Sequence, residues 1–211
     1  LMGWDTVASP MPILSLTITG GQPAGRRPLT RSGGRPGDRL YLSGPLGRMA
    51  SALRLLGRGW TLARDRAAGP AGAGEDPALA AEALGAFFEI NLPYPLGRTL
   101  LLSGAVTACM DLSDGLSTDL ARLACASGCG AEVEAEGLPE WNGLARLVPE
   151  PGERLDLLLH SGEEFALLFA SPAELPYPCI GRLTEAKGLR LRRERAMLPL
   201  EPGGYDHFRT A

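Results

Sequence analysis

The stretch DLSDG, residues 111–115, separates two segments of opposite character. Residues 99–110 before it carry no charge, whereas residues 116–127 after it place apolar side chains at helical spacing and are followed by a glycine. Such spacing predicts one buried face of a helix, and glycine commonly ends a helix. We therefore predict a buried strand, a sharp turn (the acidic turn, residues 111–115) and a helix that buries Leu116, Leu120, Leu123 and Ala124.

Strand and helix patterns continue on both sides of the acidic turn. The turn at 43–47 is predicted to open a helix with Met49, Leu53 and Leu56 on one face, and residues 66–76 are predicted to form a loop. Interleaved strands and helices, with several neighbouring strands near the end, favour an α/β fold of the α+β sandwich type. A further helix is expected at 77–88, and strands are expected at 13–19, 39–43, 131–136, 155–159, 164–170, 179–183 and 189–192.

Composition and charge exclude several functional classes. The chain has 211 residues, of which 45% are hydrophobic, and its 21 basic and 24 acidic side chains give a net charge of −3. This balance argues against a nucleic-acid partner. The long uncharged segment 6–25 is interrupted by prolines and glycines, which argues against a membrane span. Four sparse cysteines favour reduced thiols in a cytoplasm over a disulfide framework.

The acidic turn is the strongest candidate for chemistry. Two carboxylates about 6 Å apart repel by roughly 3 kcal/mol at an effective dielectric constant near 20, and a divalent cation would turn that cost into attraction. Carboxylate and hydroxyl oxygens suit Mg²⁺, and a helix N-terminus favours negative charge. The alternative is that Asp111, Ser113 and Asp114 only cap the following helix. The residues of the turn leave both interpretations open.

Six short motifs occur in order between residues 3 and 208. They are GWDT at 3–6, RSG with PGD at 31–38, SG with LG at 43–47, DLSDGL at 111–116, SGEEF at 161–165 and GGYDHF at 203–208. Together they resemble the thiamine-monophosphate kinase family, which belongs to a superfamily with aminoimidazole ribonucleotide synthetase and selenophosphate synthetase. The last two motifs favour this family over its relatives.

The resemblance implies a domain organisation. Residues 1–35 would be the end of an N-terminal ATP-binding domain, and residues 36–211 the C-terminal α/β domain of the aminoimidazole ribonucleotide synthetase-like fold. The rest of the N-terminal domain, with further Mg²⁺-binding aspartates and most of the strands that pair two subunits, has no counterpart in the chain. We therefore expect either a fragment or further residues before Leu1.

The resemblance also implies roles for individual side chains. Two positions depart from the family pattern, because Trp4 replaces a glycine and Glu164 replaces a shorter acid. An aromatic ring such as that of Tyr205 suits the cationic thiazolium of thiamine. The implied ATP contacts are Trp4, Asp5, Arg31 and Ser113, the implied Mg²⁺ ligands are Asp5, Asp111 and Asp114, and the implied substrate contacts are Tyr205 and either Glu163 or Glu164.

The implied activity is ATP-dependent phosphorylation of thiamine monophosphate to thiamine diphosphate. The substrate phosphate would attack directly, so catalysis would consist of positioning and of charge neutralisation by several Mg²⁺ ions and Arg31. The resemblance further implies a homodimer in the cytoplasm. Two alternatives remain: another ATP-dependent synthetase of the same superfamily, or a catalytically silent folding or dimerisation module.

Overall fold

A computed structural model describes residues 17, 19–21, 23–90 and 92–205. The predicted strand at 13–19 therefore lies largely outside the described residues. The elements are β1 (Arg39–Leu42), α1 (Arg48–Gly57), β2 (Thr61–Ala63), β3 (Arg66–Ala68), α2 (Pro77–Phe88), α3 (Tyr94–Ser103), β4 (Ala108–Asp111), α4 (Leu116–Ala126), β5 (Gly130–Glu134), α5 (Leu144–Leu147), α6 (Pro151–His160), β6 (Leu167–Ser171), β7 (Cys179–Thr184), β8 (Leu189–Arg193) and β9 (Ala196–Pro199).

A seven-stranded mixed sheet organises the described part of the chain. Its strand order is β4-β6-β1-β7-β5-β8-β9, and every neighbouring pair is antiparallel except β5 with β8. Strands β2 and β3 form a separate antiparallel pair. The α/β class with an α+β arrangement is thus confirmed. None of the described helices has both the length and the apolar character that crossing a membrane requires.

Both faces of the sheet are covered. Leu40 and Leu42 of β1 belong to the large core cluster shared with the helices, whereas Tyr41 between them belongs to a smaller cluster. In the smaller cluster Tyr41 stacks on Phe169, with ring centroids 5.6 Å apart, and Leu100 of α3 covers them. The alternation follows from the strand period of two.

The helix after the acidic turn forms as the leucine spacing predicts. All four predicted core residues of α4 are at most 2% exposed. The helix ends at Ala126, and Gly128 follows with a φ of 66°, in the left-handed region that glycine tolerates. The predicted helix at 77–88 is also confirmed, because Asp76 accepts a hydrogen bond from the Ala78 amide at 2.9 Å and Pro77 begins α2.

Three local predictions are wrong. Residues 155–159 lie inside α6 rather than in a strand, because Glu150 accepts hydrogen bonds from two amides of the first turn and Pro151 starts the helix. Leu53 of α1 is 42% exposed, so it does not share the buried face predicted for it, whereas Met49 is buried and Leu56 packs against the core as predicted. The predicted loop at 66–76 begins with β3, which pairs with β2.

Candidate functional site

Two of the sequence motifs pack directly on each other. Residues 161–165, the carboxylate segment, run along the acidic turn. The Glu163 amide donates to the Ser113 carbonyl oxygen, and the Phe165 amide donates to the Leu112 carbonyl oxygen, each at 2.8 Å. A Cβ at Gly162 would lie 2.5 Å from the Ser113 oxygen, so only glycine permits this approach.

A third motif reaches the acidic turn from the chain's far end. Residues 203–205, the C-terminal segment, lie beside the first turn of α4, and the Tyr205 amide donates to the Asp114 carbonyl oxygen at 2.8 Å. The Tyr205 side chain is 63% exposed. The structure therefore brings the predicted residues Asp111, Ser113, Asp114, Glu163, Glu164 and Tyr205 into one region.

The carboxylates of the acidic turn are not helix caps. Helix α4 begins after Gly115, and no side chain forms a capping hydrogen bond there. Asp111 is exposed at the end of β4, and Asp114 pairs with Arg122. The capping alternative is thus wrong for this geometry. The Asp111 carboxylate lies at the protein surface, whereas the Asp114 side chain is only 15% exposed.

Asp119 holds the acidic turn in shape and was not among the predicted site residues. Its fully buried carboxylate accepts hydrogen bonds from the Ser113 and Asp114 amides at 2.9 and 3.0 Å. Arg122 pairs with it at 2.8 Å. Burial raises the pKa of Asp119, and these hydrogen bonds and Arg122 oppose that rise. The signal in the sequence was an acidic residue one helical turn after the buried Leu116.

Glu164 lies at the N-terminus of α1 and lines a cavity of about 460 Å³. Its Oε1 accepts a hydrogen bond from the Gly47 amide at 2.7 Å. Burial raises the pKa of Glu164 to about 7, although hydrogen bonds from the helix N-terminus and the charge of Arg48 oppose the rise. Other walls of the cavity come from Arg48, Met49, Glu89, Pro93 and Phe165.

A smaller neighbouring cavity contains Asp111. It measures about 250 Å³ and shares Pro93 and Phe165 with the larger one. Phe165 has a φ of 50° and Glu163 a φ of 66°, which strain non-glycine residues. This backbone conformation explains why β6 begins at Leu167 rather than at 164 as predicted. It also places the Phe165 ring between the two cavities, which the sequence did not reveal.

Trp4, Asp5 and Arg31 complete the set of predicted site residues. Trp4 and Asp5 are outside the described residues. The Arg31 carbonyl oxygen accepts a hydrogen bond from the Ser127 hydroxyl at 3.1 Å. Ser127 directly follows α4, whose 11 residues span about 16 Å, so the Arg31 backbone lies at the opposite end of α4 from Asp114.

The acidic turn has the donor chemistry for Mg²⁺ without a complete cage. No group of three or more His, Cys, Asp or Glu side chains suited to a metal occurs within the described ranges. Mg²⁺ usually needs only one or two carboxylates because substrate phosphates and water complete its shell. Asp111 and Asp114, on one turn and free of capping bonds, fit that requirement.

Comparison with known proteins adds independent findings. The family described as AIR synthase related protein, C-terminal domain, matches residues 35–193. Thiamine-monophosphate kinase of Salmonella typhimurium is 34% identical over 123 residues, which are 52% of this chain and 38% of the relative. The sequence match thus spans 38% of the length of this relative.

Solved structures of thiamine-monophosphate kinases are similar to this chain as well. Thiamine-monophosphate kinase from Stenotrophomonas maltophilia K279a superposes with a TM-score of 0.66 at 28% identity, covering 80% of this chain and 54% of that one. A structure described as AaThiL complexed with AMPPCP and TMP gives a TM-score of 0.68 at 25% identity, covering 85% and 54%.

Proposed function

The chain belongs to the family of AIR synthase related proteins, of which it contains the C-terminal domain, and on this premise we propose that the whole protein is a thiamine-monophosphate kinase. It would transfer the γ-phosphoryl group of ATP to the phosphate of thiamine monophosphate. The observation that carries the proposal is the meeting of the acidic turn, the carboxylate segment and the C-terminal segment at one site. The related structure with AMPPCP, an ATP analogue, and TMP supports it.

Some residues of the site would bind the ATP phosphates, and others would bind thiamine monophosphate. Asp111 and Asp114 would hold Mg²⁺, which supplies charge neutralisation for the ATP phosphates. Ser113, between them, would contact ATP. An oxygen of the substrate phosphate attacks the γ-phosphorus and ADP leaves, so no side-chain nucleophile is required. Preorganised groups then lower the barrier by orientation and charge.

The two cavities and Tyr205 would recognise thiamine monophosphate. The Tyr205 side chain is 63% exposed, and its ring would face the thiazolium cation. Of the two acids in the carboxylate segment, Glu164 is the better substrate contact, because its carboxyl lines the 460 Å³ cavity while Glu163 does not. With a pKa of about 7, Glu164 is able to donate or accept a hydrogen bond near neutral pH.

Several parts of the proposal lie outside the described site. Asp5 would be a further Mg²⁺ ligand, and Trp4 and Arg31 would contact ATP. The boundary between an N-terminal ATP-binding domain and the C-terminal domain would fall at residues 35–36, and the protein would act as a homodimer in the cytoplasm.

The decisive experiment replaces each carboxylate of the acidic turn in the full-length protein. Asp111→Asn and Asp114→Asn should each abolish most activity and raise the Mg²⁺ concentration required, measured by titrating activity with Mg²⁺. Melting in EDTA should change little for Asp111→Asn, because Asp111 is exposed. Asp114→Asn should lower the Tm, because the Asp114 side chain is only 15% exposed and pairs with Arg122.

A matched control is Asp65→Asn, which removes an exposed carboxylate from the turn between β2 and β3. Its Mg²⁺ dependence should equal that of the wild type. Wild-type Mg²⁺ dependence in both acidic-turn variants would refute the metal assignment and most of the kinase mechanism with it.

A catalytically silent folding or dimerisation module is the second candidate. It is favoured by the Asp114–Arg122 ion pair, which engages one of the two carboxylates that would hold Mg²⁺. We expect the 211-residue chain on its own not to phosphorylate thiamine monophosphate, as measured by thiamine diphosphate formation. Robust turnover by that chain would show that the metal site is complete within it.

A further inference from the structure

The C-terminal segment is held by three consecutive backbone amides. The Gly203 amide donates to the Ser117 hydroxyl oxygen at 3.1 Å, and the Gly204 amide donates to the Thr118 hydroxyl oxygen at 3.0 Å. The Tyr205 amide completes the row on the Asp114 carbonyl oxygen at 2.8 Å. All three acceptors belong to the acidic turn or to the first turn of α4.

The Ser117 hydroxyl is oriented by a second partner. Ser117 is fully buried, and its Oγ lies 2.8 Å from Nδ1 of His160. Because the oxygen already accepts from the Gly203 amide, its hydrogen is free to point to His160. The serine therefore links α4, α6 and the C-terminal segment, and its lone pair is directed at the segment.

The two glycines make this close approach possible. A Cβ at Gly203 would lie 2.7 Å from the His160 ring, and one at Gly204 would overlap the Asp114 carbonyl oxygen. Any other residue at 204 would push the segment away from α4. The hydroxyls and the glycines thus act together as one backbone clamp, defined by residues 117, 118, 203 and 204.

We propose that Ser117 and Thr118 are positioning residues that hold the Tyr205 ring at a fixed separation from the carboxylates of the acidic turn. This rests on the proposed function, in which Tyr205 binds the thiamine part and the acidic turn holds the phosphates. Neither hydroxyl contacts substrate. Their effect is to set the distance between the two halves of the binding site, so their loss raises the KM for thiamine monophosphate more than that for ATP.

The test compares Thr118→Val, Thr118→Ser, Ser117→Ala and Gly204→Ala in the full-length protein. Hydrogen exchange of the amides at 203–205 reports on the clamp without any substrate, and steady-state kinetics report on KM and kcat for each substrate. Thr99→Val is the matched control, because it removes a threonine hydroxyl that bonds only its own helix α3.

Removal of the Thr118 or Ser117 hydroxyl should accelerate exchange at 203–205 about five-fold and raise the KM for thiamine monophosphate by a similar factor. Gly204→Ala should have a larger effect on both. Thr118→Ser should restore both, and Thr99→Val should alter neither.

Unchanged exchange at 203–205 in both Thr118→Val and Gly204→Ala would overturn the clamp. Two results would overturn the positioning role. One is faster exchange with an unchanged KM for thiamine monophosphate, and the other is an equal rise of the KM values for thiamine monophosphate and ATP. Absence of wild-type activity on thiamine monophosphate would refute the proposed function and this role with it, while the exchange measurement would still decide whether the clamp exists.

Discussion

Glu164 allows the most quantitative test of the site's electrostatics. Burial raises its pKa from the ordinary 4.5 to about 7, which corresponds to about 3 kcal/mol of unfolding free energy. Below pH 4.5 the carboxyl is protonated in both states, so this contribution is fully present. Between pH 4.5 and 7 the Glu164 carboxyl ionises in the unfolded chain but stays protonated in the folded one, which favours unfolding. The stabilising contribution of Glu164 is therefore lost as the pH rises to 7, and it stays lost above pH 7.

The variant Glu164→Gln removes the titration while keeping an oxygen that is able to accept from the Gly47 amide. The unfolding free energy of the variant minus that of the wild type should therefore increase by about 3 kcal/mol between pH 4 and pH 8. For a chain of this size the same difference amounts to about 6–12 °C in Tm.

The assay is urea denaturation at closely spaced pH values, with thermal melting as a second measurement. Glu201→Gln, at an exposed carboxylate that does not line the cavity, controls for the change in net charge. Parallel stability curves for the wild type and Glu164→Gln would show that this carboxyl ionises as it does in water. That result would refute the inference that burial keeps the Glu164 carboxyl neutral. It would also refute the role of Glu164 as a hydrogen-bond donor near neutral pH.

Three further predictions concern the site and the core. Tyr205→Ala should weaken thiamine monophosphate binding about ten-fold and leave ATP binding nearly unchanged in parallel titrations, through loss of a cation–π contact; an equal loss for both ligands would indicate a loosened domain. Asp119→Ala removes the acceptor of two amides in the acidic turn, so it should lower the unfolding free energy by about 2 kcal/mol in urea denaturation, and wild-type stability would contradict its structural role. Leu55→Ala should lower the unfolding free energy by about 3 kcal/mol and Leu53→Ala by less than about 0.5 kcal/mol in the same measurement, and the reverse order would contradict the burial of Leu55 and the exposure of Leu53.

Elements with strong local signals were predictable from the sequence. Helix α4 follows from leucines at helical spacing with glycine at 128, and its four predicted core residues are buried. Helix α2 starts and ends where predicted, because Pro77 suits a first helical position and Asp76 supplies a cap. The acidic turn and the order of six short motifs also predicted the family that the comparison shows. These features depend on residues that are neighbours in the chain.

Weak or conflicting local signals were decided by packing. The apolar run at 155–159 is compatible with a strand or with one side of a helix, and only the cap at Glu150 and the contact with α4 settle it as α6. In α1, the burial of Leu55 and the exposure of Leu53 follow from packing against other elements, α2 among them.

The site itself is a product of the tertiary structure. The sequence named Asp111, Asp114 and Tyr205 as candidates, and their proximity arises because the C-terminal segment returns to the first turn of α4. The raised pKa of Glu164 likewise requires burial beside α1, which is distant in the chain. Identity and spacing determine which chemistry a side chain is able to perform, whereas distance, desolvation and hydrogen-bond partners arise only when remote segments pack together.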